Sequence, residues 1–242
     1  NFWLEFHIRN HFKLGPVKYH NVVASIKGTK YPDEYVIISG HLDSYDVATG
    51  GIDCGTGIGP MMEAARMIAL SGAKPKRTIL FVAFAGEEFG LLGAKAYVKT
   101  HAKELGKIAN LFNRDGGPTP PVGISVPQAM YDDFVEVCKP VKEIRADYPF
   151  EVKVAKPFKR PTQSGGTDAS VFAVEGVPTF GFNTQDIKGY NFSYGEIWHT
   201  ERDLYTKNIP EYQEHAATVT AVVALGIANL SKQLSREGMH KK

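Results

Sequence analysis

"TILFVAF", residues 78 to 84, carries no charge and leads directly into "AGEE", residues 85 to 88. A continuous apolar run of this length reads as a strand buried on both faces, as in a parallel sheet lying between two helical layers. The neighbouring segments suit that reading. Upstream, Ile58, Met61, Met62, Ala65, Ile68 and Ala69 recur with helical period, and Gly72 and Pro75 mark the exit. Before that helix lie two strand patterns, "NVVASIK" and the almost wholly apolar "EYVIISG". Residues 3 to 9 alternate, with Leu4, Phe6 and Ile8 against Glu5, His7 and Arg9, which predicts a half-exposed strand. Downstream, a helix is expected from about Leu91 to Glu104, then a strand at "IANLFN", then a Pro-rich loop at 118 to 127. A strand at "PTFGF" and a closing helix from about Glu211 to Leu234 complete the pattern. Strands alternating with helices predict an α/β fold of three layers (α/β/α) around a mostly parallel mixed sheet.

Composition excludes several classes. With 242 residues, 43% of them hydrophobic, the chain is long enough for one full core. No apolar run spans a bilayer. A net charge of +2, with Lys and Arg spread along the chain, argues against a nucleic-acid surface. Cys54 and Cys138 make no disulfide scaffold, and their pairing is open. The sequence opens on Asn1 and shows no signal peptide, so it reads as a piece of a longer protein. It fixes no oligomeric state.

In open α/β sheets, sites form beyond the carboxyl ends of the strands. Four stretches occupy such places: "HLD" after "YVIISG", "GEE" after "TILFVAFA", "NRDGG" after "IANLF", and "WHTERD" after "PTFGF". With the Gly-rich loop "GGID", they offer His41, Asp43, Asp53, Glu87, Glu88, Asp115 and His199. Imidazole nitrogens and carboxylate oxygens are the donors zinc accepts. Each residue alone also has a plain structural reading: a turn former, a helix-start charge, or a histidine packed against Trp198. All of those readings holding together at the strand ends of one sheet is much the less economical account.

Taken in order, His-x-Asp, Gly-Gly-Ile-Asp, Gly-Glu-Glu, Asp-Gly-Gly and His-Thr-x-x-Asp resemble the co-catalytic dinuclear zinc exopeptidases. That family includes secreted bacterial leucyl aminopeptidases and plasma-type glutamate carboxypeptidases, and the resemblance runs from about Tyr19 to Leu234. It implies two Zn²⁺ per chain bridged by Asp53, with His41 and Asp115 on one ion and Glu88 and His199 on the other. Glu87 matches the general base, and Asp43 the acid that orients His41. The stretch before Gly15 resembles the exit from a protease-associated domain. Residues 1–18 are therefore expected to be its exit segment, and 19–242 the catalytic domain. Cys54 stands where many members carry a small polar residue, and in the resembling enzymes the peptide bond after the bridging aspartate is commonly cis. A cis Asp53–Cys54 bond is thus expected, with the thiol near the metals but not ligating them.

The implied chemistry is consistent in charge. Two Zn²⁺ carry +4 and three carboxylates remove 3, leaving one charge for a hydroxide held between ions roughly 3.5–4 Å apart. Glu87 would take the proton of the water and return it to the leaving amine. The expected activity is hydrolysis of terminal peptide bonds, with an aminopeptidase favoured. A carboxypeptidase or dipeptidase of the same family is an alternative. So are a non-enzymatic binding domain on this scaffold, as in the transferrin-receptor ectodomain, and a glutaminyl-cyclase-like enzyme with one zinc. The partner is a peptide substrate, and the resemblance implies a secreted or periplasmic location.

Specificity is thinly signalled. Tyr190, Phe192, Tyr194 and Trp198 are candidates to wall an apolar pocket, and Arg160 and Lys188 are candidates to hold a substrate carboxylate. Asp168, in "QSGGTDASVF", is a candidate for support of the site. Asn191-Phe192-Ser193 and Asn229-Leu230-Ser231 fit glycosylation acceptors, relevant only on a eukaryotic secretory path.

Overall fold

A computed structural model describes residues 2–241 except 12 and 14. In chain order the elements begin β1 (Val22–Ile26), β2 (Tyr31–His41), α1 (Gly55–Leu70), β3 (Arg77–Phe84), α2 (Leu92–Thr100) and β4 (Ile108–Asn113). They continue with β5 (Pro121–Pro127), α3 (Tyr131–Ile144), β6 (Glu151–Ala155), β7 (Phe158–Lys159) and α4 (Ala169–Val174). Last come β8 (Thr179–Phe180), β9 (Phe182–Thr184), α5 (Pro210–Ala228) and β10 (Met239–Lys241).

The main sheet has the order β1-β3-β2-β4-β8 and is parallel except for β1, which runs against β3. Alternation along the apolar strands feeds two cores. Val36, Ile38, Ile79 and Phe81 pack with Met61 and Ile68 of α1, Phe134 of α3 and Val223 of α5. Ile37, Val82 and Phe84 face the other way, onto Ala94 and Tyr97 of α2 and Phe172 of α4. The three-layer expectation holds, because a strand apolar at every position must be covered twice.

Register is what builds the site. In the β2–β3 pairing His41 lies opposite Phe84, three residues before Glu87. In the β2–β4 pairing Ser39 lies opposite Asn113, two residues before Asp115. The loops after three adjacent parallel strands therefore open at one edge of the sheet.

Some expectations are corrected. Residues 3 to 9 form no strand; Leu4, Phe6 and Ile8 are all exposed and find no apolar surface among the described residues. The Pro-rich segment at 118 to 127 is not all loop, since Pro121–Pro127 is the central strand of a second sheet, β6-β5-β9. Its prolines stand at the two ends of the strand, where a missing N–H costs least. "PTFGF" divides at Gly181 into β8 and β9, which belong to different sheets. Helix α1 is rotated from the expected stripe: Met61, Ala64 and Ile68 are buried, while Met62 and Ala69 are exposed. Helices α2 and α5 stop at Thr100 and Ala228, short of the expected ends.

Pro60 lies inside α1 and has no N–H to offer the carbonyl of Thr56. Arg114 supplies the missing donor through Nε at 2.8 Å, and its Nη2 also donates to the carbonyls of Gly117 and Thr119. This guanidinium ties the helix behind Asp53 to the loop that carries Asp115.

Candidate metal centre

His41 ends β2 with its ring 2% exposed. Its Nδ1 donates to the backbone carbonyl of Asp43 at 2.9 Å, which turns Nε2 towards Asp53 Oδ1 at 3.0 Å and Asp115 Oδ1 at 3.4 Å. A carbonyl only accepts, so this bond places a proton on Nδ1 and leaves Nε2 facing the two carboxylates. The carboxylate of Asp43 is not what orients the ring: it stands 3.8 Å from Nδ1. It instead accepts the backbone N–H groups of Glu87 and Glu88, each at 3.1 Å, and so shapes the turn after β3.

Asp53 precedes α1 on the loop "GGIDC", and its bond to Cys54 is cis. Oδ1 meets His41, while Oδ2 accepts from Tyr194 Oη at 2.9 Å and lies 4.0 Å from His199 Nε2. The loop leaves no room for side chains: a Cβ on Gly51 would strike the backbone of Leu204 and Tyr205. Its N–H groups at Ile52 and Asp53 are held by the carboxylate of Asp203, at 2.6 and 3.1 Å.

His199 has a left-handed backbone (φ 57°) and stacks on Tyr45, with ring centroids 4.1 Å apart, while Trp198 tilts against it. Aromatic packing and a polar role coincide here, because Nε2 remains 3.0 Å from Glu88 Oε2. Ligand atoms of His41, Asp53 and Glu88 lie within 4.8 Å of one another, as do those of His41, Cys54 and Asp115. The Cys54 thiol is buried, which raises its pKa, and it donates to the carbonyl of Arg114 at 3.0 Å. A protonated thiol engaged as a donor is a poor ligand.

The electrostatics describe a site built around cations. Burial opposes a charge on His41, but hydrogen bonds to Asp115 and Asp53 outweigh it and hold the imidazole protonated well above its usual range. Burial also works against Asp53 as an anion, yet His41 and Tyr194 keep its carboxyl below the usual range. Glu88 is pushed up by burial and then by Asp53, and its Oε1 is buried without a hydrogen-bond partner. Glu87 rises to about 8, through burial first and Asp115 second. Four crowded carboxylates, a buried orphan oxygen and two imidazole nitrogens facing them fit divalent metal ions with nitrogen and oxygen ligands, as zinc takes.

Asp53, Glu87, Glu88, Asp115 and His199 line one cleft of about 530 Å³ together with Lys95, Tyr194 and Trp198, while His41 is buried behind Asp53. Arg160 and Lys188 do not reach it: Arg160 donates to the Val174 carbonyl, and Lys188 pairs with Glu211. Tyr190 also bonds Glu211 rather than walling the cleft. Asp168 is fully buried, and neither of its carboxylate oxygens has a partner among the described residues. Residues the sequence did not single out are Asp203, Arg114, Tyr45 and Lys95. Only Asp203 left a trace, as the last position of His-Thr-x-x-Asp.

The sequence model of peptidase family M28 matches residues 21–223. Carboxypeptidase Q of Rattus norvegicus is 32% identical over 231 residues, which cover 93% of this chain and 46% of that protein. The crystal structure of a peptidase M28 precursor from Shewanella amazonensis is similar at 33% identity and a TM-score of 0.74, covering 89% of this chain and 46% of its own. BSAP, a zinc aminopeptidase from Bacillus subtilis, shares the fold at 21% identity and a TM-score of 0.65, over 91% of this chain and 53% of its own. The chain spans about half the length of the curated relatives it matches.

Proposed function

The chain belongs to peptidase family M28, and on that premise we propose that it is the catalytic part of a zinc-dependent exopeptidase holding two zinc ions. The observation that carries this reading is the two-sided contact of Asp53. One oxygen faces His41, beside Asp115, and the other faces His199, beside Glu88. Asp53 would thus be shared by two ions, with His41 and Asp115 on one and Glu88 and His199 on the other.

Bound zinc supplies Lewis acidity and a water of lowered pKa. The side chains supply the rest. Glu87 lines the cleft beside Glu88, and its carboxyl makes no hydrogen bond among the described residues. It is the free base that takes a proton from water and delivers it to the leaving amine nitrogen. A pKa raised towards neutrality suits both halves of that transfer. Asp43 fixes the turn from which Glu87 and Glu88 diverge. Asp203 and Arg114 hold the two loops that carry Asp53 and Asp115.

The relatives' names divide between carboxypeptidase and aminopeptidase. Removal of a terminal residue is what they share, and it is the activity proposed here. Elemental analysis of zinc per chain, beside hydrolysis of a dipeptide, an N-acetylated dipeptide and a dipeptide amide, tests it. Two zincs with cleavage of at least one substrate support the reading. One zinc favours the cyclase-like alternative, and no cleavage favours a binding domain. No helix among the described residues is long and apolar enough to cross a membrane. A secreted or periplasmic location is the proposal that goes with the family, and cell fractionation checks it.

A further inference from the structure

The proposed centre uses every histidine and carboxylate of the cleft for metal or proton transfer except one kind of group: a cation. Among the described residues, Lys95 is the one lysine or arginine lining the cleft, and its ammonium is in no ion pair. It is the fourth residue of α2, a helix that begins four residues after Glu88. Ala94, Tyr97 and Val98 bury one side of that helix in the core, so the stem of Lys95 starts from a fixed wall. The side chain itself is exposed, and its four-carbon stem gives the ammonium a flexible reach into the cleft.

A cleft of about 530 Å³ is of the size that encloses a small molecule rather than a folded chain. In a short peptide whose scissile carbonyl meets the metal centre, the α-carboxylate of the leaving residue lies only three bonds beyond that carbonyl carbon. This group is anionic, and the one ammonium on the cleft wall is the side chain that matches it in charge. Arg160 and Lys188, the other cations considered for this task, are engaged elsewhere. Building on the exopeptidase reading, we infer that Lys95 binds the free α-carboxylate of the residue released on the amine side of the scissile bond. An acidic side chain at that residue presents the same chemistry, and the test separates the two.

The zinc-loaded protein is assayed with leucyl-leucine, leucyl-leucinamide and leucyl-glutamic acid amide. Wild type is expected to favour the free acid over leucyl-leucinamide by tenfold or more in kcat/KM. Lys95→Met should bring that ratio close to one, mainly through KM, and Lys95→Arg should restore most of it. If wild type cleaves acid and amide equally, or Lys95→Met leaves the ratio unchanged, the assignment of Lys95 is wrong while the exopeptidase reading stands. A preference for the glutamic acid amide over leucyl-leucine, lost in Lys95→Met, overturns it in favour of side-chain recognition. If none of the three is cleaved, both readings fall.

Discussion

Asp203 grips the backbone of Asp53: its two oxygens accept the N–H groups of Ile52 and Asp53, at 2.6 and 3.1 Å, across 150 residues of sequence. Asp203 is 2% exposed, so its removal leaves two buried donors unpaired. Asp203→Ala is expected to cost about 2–5 kcal/mol, since each orphaned buried group costs ~1–3. Zinc affinity should fall with it, because Asp53, the carboxylate proposed to be shared by the two ions, loses its anchor. Thermal unfolding and a zinc titration measure both effects, and unchanged values in each would show that the loop is held by other means.

Glu87→Gln removes the proton acceptor and leaves every proposed ligand in place. Zinc content should stay at the wild-type level while kcat drops by roughly 10²–10⁴, the range of general acid–base catalysis. Near-full turnover with metal bound would take the role of base away from Glu87.

Asp53→Asn acts on the opposite property. An amide presents one neutral oxygen where the carboxylate faces both halves of the site, so occupancy should fall at both metals together. Elemental analysis showing two zincs per chain in this variant would reject the bridging role.

Asp168 sets a pH dependence in the metal-free protein. Burial first, then Asp115 and Asp43, raise its carboxyl to about 7, against an opposing pull from His41. Between its ordinary value of 3.8 and about 7 the folded chain keeps a proton that the unfolded chain releases. Stability therefore declines as pH climbs through that interval and levels off above it. Asp168→Asn has no such proton, so its stability relative to wild type should improve from pH 4 to pH 8, by on the order of a few kcal/mol. Urea unfolding of both proteins at the two pH values decides it; a constant difference would mean that Asp168 is ionised throughout.

The sequence by itself determined the α/β class, the buried β3 strand, and the order of the acid- and histidine-bearing loops. These properties are local. An apolar run declares that both faces of a strand are covered, and a ligand placed just after a strand is carried to the sheet's carboxyl edge whatever its neighbours are. Tertiary structure decided what depends on pairing between distant segments. Met62 turned outward and Met61 inward because the packing of α5 against α1 fixes the helix rotation, which periodicity leaves loose. Residues 121–127 became a strand because β6 and β9 supply hydrogen-bond partners on either side. Leu4, Phe6 and Ile8 had the alternation of a strand but no such partner among the described residues. At the site, which atom of Asp43 holds His41, which carboxylate clamps Asp53 and which lysine faces the cleft all follow from strand register and loop closure. Residue types announce what chemistry is available; the contacts that direct it join segments as much as 150 residues apart, and no local spacing encodes them.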